Sequence, residues 1–147
     1  MAKEAREGKR TAVILYDGVC GLCNRFVNFV LKRDRRGVFR FASLQSPIAR
    51  EILARYRITA VPMDTVYVIA DFGLPTERVL AKSTATLYTL SRLGGVWRLA
   101  GAARLAPRRV RDWVYDAVAR RRYRIFGKYD TCPLPDATHR DRFMDSD

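Results

Sequence analysis

A run of five apolar residues, AVILY at positions 12–16, constrains the fold of this chain most strongly. A short apolar run that is rich in β-branched residues is typical of a strand buried on both faces of a sheet. Asp17 and Gly18 end the run, and VCGLC follows, which contains Cys20 and Cys23. The cysteines therefore lie where a buried strand gives way to the next element.

The residues after Cys20 predict an amphipathic helix from about Gly21 to residue 36. One side of this segment is apolar at helical spacing, whereas the other side is largely Asn, Lys and Arg. The apolar residues are Leu22, Phe26, Phe29 and Val30. Gly37 is a typical C-terminal stop. Cys20 thus lies at the predicted helix N-terminus, and Cys23 lies one turn further along.

The next elements complete a β-α-β unit. VFRFA at positions 38–42 alternates apolar and polar residues and predicts a second strand. Ser46 followed by Pro47 is typical of a helix cap and first turn, and predicts a helix that ends near Tyr56. A strand, a helix and a strand in this order predict a right-handed crossover and a parallel strand pair.

Two strands and a helix follow this unit. We expect a third strand at about 65–70 and a fourth at about 77–81, antiparallel to the third because only a short turn joins them. Ser83 or Thr84 is expected to cap the next helix, which a Gly-Gly pair ends. The pattern β-α-β-α-β-β-α predicts an α/β fold with a central sheet and flanking helices.

The length of 147 residues is typical of one domain. Residues 1–10 are expected to form a loose charged tail and residues 11–147 the domain, in which 96–128 is a helical extension and 129–147 a Pro-containing tail. The N-terminal residues show no export signal, and no stretch approaches the ~20 apolar residues of a membrane span. We therefore expect a cytoplasmic protein.

The formal net charge of +13 implies attraction to anionic partners without specificity. Residues 104–128 carry nine basic and two acidic residues, and they predict a helix with one apolar stripe. The stripe consists of Val110, Trp113, Val114, Ala117 and Val118. We expect it to dock the helix on the domain, and the alternative is a basic amphipathic helix on an anionic membrane or acidic partner. Without a recognised nucleic-acid motif, any nucleic-acid binding should be weak, indifferent to sequence and salt-dependent.

The cysteines allow three interpretations. As a redox pair, Cys20 would be the nucleophile, because the helix N-terminus lowers the pKa of a thiol, and the more covered Cys23 would resolve the mixed disulfide. As a zinc site, the pair would join Cys132 and His139, although six residues separate these two instead of roughly two to five. As buried small residues, they would have no chemistry.

Asp17 precedes Cys20 by three residues and also has more than one interpretation. Its carboxylate could accept a proton or hold the loop by accepting hydrogen bonds from backbone N–H groups, but its charge opposes formation of a nearby thiolate. An Asp-Gly pair that only forms a turn is the alternative.

Six segments together carry a resemblance to a known family. They are YDGVCGLC, RFVNFVLKRD, FRFASLQS, VPMDTVYVI, KSTATLYTL and RYRIFGKYDTCPLP. Over about residues 11–143 the chain resembles the DCC family of thiol-disulfide oxidoreductases, which is named for an Asp and two Cys. Here these are Asp17, Cys20 and Cys23, and the resemblance implies a thioredoxin-like fold and dithiol-disulfide exchange.

The same resemblance implies that Pro62 takes the place of the cis-proline that faces the CxxC motif in thioredoxin-like folds. Val61 would then offer its backbone to an extended substrate. The implied substrates are protein or small-molecule thiols and disulfides, with no cofactor beyond the Cys20–Cys23 couple. The competing hypothesis is a zinc-stabilised basic adaptor that docks on nucleic acid or on an anionic membrane.

Overall fold

A four-stranded mixed sheet forms the centre of the computed structural model, which describes residues 11–34, 37–58, 65–93, 95–127 and 142–144. The strands are β1 (Ala12–Tyr16), β2 (Phe39–Ser43), β3 (Tyr67–Ala70) and β4 (Arg78–Ala81), in the order β2-β1-β3-β4. β1 pairs in parallel with β2 and antiparallel with β3, and β3 pairs antiparallel with β4. The predicted β-α-β unit and antiparallel pair are confirmed.

Four α-helices connect or follow the strands. They are α1 (Gly21–Arg33), α2 (Pro47–Ala54), α3 (Lys82–Arg92) and α4 (Arg108–Phe126), with a 3-10 helix at Gly95–Leu105 before α4. α1 ends at Arg33, earlier than predicted, with the Asp34 N–H donating to the Val30 carbonyl at 2.8 Å. α2 begins as predicted, because the Ser46 hydroxyl accepts a hydrogen bond from the Ala49 N–H at 3.3 Å.

The central strand β1 divides the core into two layers. Ala12, Ile14 and Tyr16 pack with α1 and α3 on one face of the sheet, whereas Val13 and Leu15 pack with α2 on the other. All five side chains are buried, which explains the uninterrupted apolar run. This element order and sheet topology confirm the predicted α/β, thioredoxin-like fold.

The predicted cap of α3 is wrong. The helix begins at Lys82 after Ala81, and neither Ser83 nor Thr84 caps it, since the structure has no side-chain hydrogen bond at this N-cap. The Ser83 hydroxyl instead donates to the Asp112 carboxylate of α4. The Ser83 hydroxyl, which the local pattern predicted as a helix cap, therefore bonds to a residue of another helix instead.

α4 docks on the domain, but not through the apolar stripe that the sequence predicted. The Tyr115 hydroxyl accepts from the Val66 N–H at 2.9 Å, and Asp116 lies 3.1 Å from the Lys82 ammonium. Asp112 and the buried Ala119 are on the same docked face. Four of the five residues of the predicted stripe, Val110, Trp113, Val114 and Val118, are about half or more exposed. The polar side of the helix packs on the domain instead, because it supplies hydrogen-bond partners to polar groups there.

Residues 142–144 cover the edge strand β2. Phe143 forms a parallel bridge with Phe41, and the Met144 N–H donates to the Phe41 carbonyl at 2.8 Å. Arg142 pairs with Asp34, whose carboxylate also accepts from the Val38 and Phe39 N–H groups at 3.1 and 2.9 Å. The carboxylate thus fixes both the turn into β2 and this segment.

Candidate active site at the strand–helix junction

Cys20 is the N-cap of α1, as the sequence predicted. Its backbone is extended, with φ −82° and ψ 126°, and its sulfur accepts a hydrogen bond from the Cys23 N–H at 3.5 Å. This sulfur therefore occupies the place where a Ser or Asp oxygen caps many helices. A thiolate at this position is stabilised by the N–H group and by the positive end of the helix dipole.

Asn24 fixes the loop that leads to Cys20, a role that was not predicted from the sequence. Its side-chain amide donates to the carbonyls of Gly18 and Cys20, both at 2.8 Å. An amide side chain one turn after an N-cap residue was the only local signal for this role. The two bonds hold the cysteine loop against the first turn of α1.

Asp17 is 1% exposed, and both of its carboxylate oxygens accept hydrogen bonds. Oδ1 accepts from the Val19 N–H at 3.1 Å and from the Gln45 amide at 2.7 Å. Oδ2 accepts from the Tyr123 hydroxyl of α4. These contacts tie the loop before Cys20 to the end of β2 and to the last helix, which is the loop-holding role that the sequence left open.

Gln45 and Tyr123 are further site residues that sequence reasoning missed. The Gln45 carbonyl oxygen accepts from the Gly18 N–H at 3.1 Å and from the Ser43 hydroxyl. Both residues are distant from Asp17 along the chain, so no local spacing connects them with the cysteines. Only the parallel pairing of β1 with β2 and the docking of α4 bring them together.

The end of α4 also covers the start of α1. The Gly127 carbonyl accepts from the Gly21 N–H at 3.1 Å, which satisfies one of the unpaired N–H groups at the N-terminus of α1. Gly127 has φ +81°, a backbone conformation that favours glycine and that ends α4. α4 therefore contacts the cysteine loop through both Tyr123 and Gly127.

Both cysteines are buried, and the degree of burial differs from the expectation. Cys20 is 0% exposed and Cys23 is 6% exposed, although Cys23 was expected to be the more covered of the two. Cys23 lines an apolar pocket of about 230 Å³ between α1, α3 and α4. The other lining residues are Leu22, Phe26, Val66, Thr86, Tyr115, Val118 and Ala119.

Several predicted site residues lie outside the described residues. They are Val61, Pro62, Cys132 and His139. Within the described ranges, no cluster of three or more His, Cys, Asp or Glu side chains could hold a metal ion. The zinc hypothesis needs Cys132 and His139, so it stays a prediction, as does the role of Pro62.

Two acidic groups away from the cysteines have a lowered pKa. The hydrogen bond from Ser83 lowers the pKa of Asp112 and outweighs the opposing effect of burial. Burial raises the pKa of Glu77, but hydrogen bonds from Tyr56 and from the Gly73 N–H outweigh it, so the net pKa is lowered. Burial and the same Glu77 contact raise the pKa of Tyr56 to about 12.

These features define a class of protein: a thioredoxin-like α/β domain with a cysteine pair at the N-terminus of the first helix. The family model of the DCC1-like thiol-disulfide oxidoreductases matches residues 14–128. The chain belongs to this family, which confirms the resemblance seen in the sequence.

Two relatives cover most of the chain. The uncharacterized protein YuxK of Bacillus subtilis (strain 168) is 39% identical over 132 residues, which span 90% of this chain and 93% of the relative. A DCC family protein of Arabidopsis thaliana, named as chloroplastic, is 34% identical over 129 residues, or 87% of this chain and 72% of the relative. No solved structure matches the chain significantly. Among the described residues, no helix has the length and apolar character needed to cross a membrane.

Proposed function

We propose that this protein is a dithiol-disulfide oxidoreductase that works through Cys20 and Cys23. The observation that carries the proposal is the Cys20 sulfur at the N-cap of α1, 3.5 Å from the Cys23 N–H. This N–H group stabilises a thiolate on Cys20, and the thiolate is the nucleophile of thiol-disulfide exchange. Family membership supports the same redox role.

The reaction balances with a disulfide substrate and no cofactor. The Cys20 thiolate attacks one sulfur of the substrate disulfide, the S–S bond breaks, and the departing thiolate takes up a proton. Cys23 then loses its proton and attacks the Cys20 sulfur of the mixed disulfide, which releases the second substrate thiol. The substrate gains two electrons and becomes a dithiol, while Cys20 and Cys23 form a disulfide. The reverse sequence oxidises a dithiol substrate.

Asp17 acts in this mechanism as a positioning residue. Its carboxylate accepts from Val19, Gln45 and Tyr123, so it holds the loop that carries Cys20. Because Cys20 is fully buried, the residues around it must open before a disulfide can reach the sulfur. Val61 and Pro62 remain the proposed substrate-binding residues, on the strength of the family resemblance alone.

Single-cysteine variants test the proposal with oxidised glutathione as the disulfide. All variants carry Cys132→Ser, so that only the CxxC motif can react. Cys23→Ser should accumulate a glutathione adduct on Cys20, located by peptide mass spectrometry, because no second thiol resolves it. Cys20→Ser should form no adduct in the same time. The protein with both cysteines should pass to the intramolecular disulfide.

Equal adduct formation by the two variants would reject Cys20 as the nucleophile. No reaction in any variant under native conditions would reject the oxidoreductase proposal itself. The zinc-stabilised adaptor hypothesis is checked on the unmodified protein, which keeps Cys132, because it requires one bound zinc per chain and protection of all three thiols from alkylation.

A further inference from the structure

The outer face of α4 presents a strip of four apolar side chains to solvent. Val110, Trp113, Val114 and Val118 are 53, 67, 50 and 47% exposed. Single exposed apolar residues are ordinary, but these four lie at helical spacing on one side of one helix and form a continuous strip. Val96, Leu99 and Leu105 of the preceding 3-10 helix are exposed as well. The described residues of the chain leave about half or more of each side chain of the strip uncovered.

The acidic and basic residues of α4 have different surroundings. Its two acidic residues face the domain, where Asp112 accepts from Ser83 and Asp116 pairs with Lys82. Among the side chains of the helix whose burial is described, the exposed basic ones are Arg108, Arg109, Arg120, Arg121 and Arg124. The solvent side of α4 therefore combines an apolar strip in its first turns with arginines at its borders and in its last turns.

We propose that α4 binds the surface of an anionic lipid bilayer, with the apolar strip in the interface and the arginines at the lipid phosphates. Apolar side chains that include Trp, bordered by cationic ones, are the pattern of helices that lie in the plane of a membrane interface. A bilayer matches both parts of this surface, because its acyl chains can contact the valines and its anionic head groups attract the arginines.

Other occupants fit the same surface less well. A second copy of the chain would bring two segments of net charge +7 together, and this repulsion opposes self-association. A nucleic acid would contact the arginines but leave Trp113 and the three valines of the strip in water. An acidic protein would need a groove that matches the strip, whereas a bilayer needs none.

The proposed orientation places the bilayer next to the pocket beside Cys23. Val118 belongs to the exposed strip and also lines that pocket. A docked α4 would hold this side of the candidate active site at the membrane surface. The membrane proposal does not depend on the redox proposal, because binding is measured without any thiol reaction.

Tryptophan fluorescence with lipid vesicles tests the proposal. The chain has two tryptophans, and Trp97 packs against Phe29 with ring centroids 4.9 Å apart, so Trp97→Phe leaves Trp113 as the only reporter. We expect Trp113 emission to shift to the blue with vesicles of phosphatidylcholine and phosphatidylglycerol, and much less with phosphatidylcholine alone. Co-sedimentation of the unmodified protein measures the same affinity independently.

Two variants with the same change of charge separate the strip from the overall charge. Val114→Asp puts a carboxylate into the strip and should weaken binding to anionic vesicles at least about tenfold, since it removes apolar area and adds lipid repulsion. Asn28→Asp adds the same charge at an exposed site on α1 and should change affinity by no more than about fivefold, as expected for one charge near the surface. Circular dichroism checks that both variants fold.

Four results would overturn the membrane proposal. The first is no binding to anionic vesicles, and the second is an equal effect of the two variants, which would indicate charge attraction alone. The third is a concentration-dependent dimer with Trp113 buried before lipid is added. The fourth is tight, sequence-selective binding to DNA or RNA that competes with vesicles at physiological salt.

Discussion

Tyr123→Phe removes the hydroxyl that links the last helix to Asp17 and leaves the ring in place. The bond is between a phenol and a carboxylate, and hydrogen bonds to charged groups contribute about 1.5–3 kcal/mol to stability. Asp17 is 1% exposed, so water does not readily replace the lost donor. We expect the free energy of unfolding to fall by about this amount in a urea titration.

The same substitution should make the buried Cys20 more reactive. Tyr123 and Gly127 hold the end of α4 against the cysteine loop, so the Tyr123 bond opposes the local opening that alkylation requires. If the whole contribution of about 1.5–3 kcal/mol acts on that opening, the alkylation rate of Cys20 rises by about 10- to 150-fold. Iodoacetamide labelling under native conditions, followed by peptide mass spectrometry, measures the rate.

Tyr115→Phe is the matched control for this experiment. It removes the same atom from the same helix, but the hydroxyl that is lost accepts from the Val66 N–H and does not contact Asp17. We expect a loss of stability of about 1–3 kcal/mol for the N–H left unsatisfied, with a much smaller gain in Cys20 labelling. Equal acceleration by the two variants, or none by Tyr123→Phe, would refute the local contact between Tyr123 and the cysteine loop as the control of access.

Four further substitutions, at Asp17, Glu77 and Arg142, test other contacts of the fold. Asp17→Leu should cost at least about 3 kcal/mol in urea titrations, and Asp17→Asn clearly less, because only the leucine leaves the buried donors of Val19, Gln45 and Tyr123 without an acceptor. Glu77→Gln should be less stable than the wild type at neutral pH and should lose less stability on acidification below about pH 5. The reason is that a carboxyl group with a lowered pKa in the folded state stabilises the fold at pH values above its unfolded pKa of about 4.3. This stability is lost as the pH falls through the lowered pKa of the folded state. Arg142→Ala should cost about 3 kcal/mol, since it leaves the Asp34 carboxylate, 4% exposed, without its cation, and equal stability of Arg142→Ala and wild type would contradict the buried ion pair.

Local signals in the sequence were sufficient for the first half of the fold. The AVILY run predicted β1 because every residue of a central strand packs on one of two core layers. Ser46-Pro47 predicted the start of α2 because the cap and its N–H partner lie three residues apart. Cys20 at the start of α1 followed from the same kind of reasoning, since strand, turn and helix are consecutive.

The remaining errors concern contacts between residues that are distant in the chain. The sequence of α4 has an apolar stripe and a polar face. Which of the two packs on the domain depends on partner residues that no local pattern reveals. Ser83, the Val66 N–H and Asp17 each need a polar partner, and Asp112, Tyr115 and Tyr123 supply them. Burial of polar groups without partners costs about 1–3 kcal/mol each, which outweighs the gain from burying a few valines that are already half covered.

The opposite faces of α4 allow one last prediction, that membrane binding and the reactivity of Cys20 are independent. Tyr123 and Tyr115 lie on the docked face of the helix, whereas Val110 and Val114 lie on the exposed one. A ligand shifts a conformational equilibrium only by binding one state better than the other, and a bilayer that contacts the exposed face makes the same contacts whether or not Tyr123 bonds Asp17. Anionic vesicles should therefore bind the protein without changing the alkylation rate of Cys20. A change of about tenfold or more, about 1.4 kcal/mol, would instead show that lipid binding alters the contact between α4 and the cysteine loop.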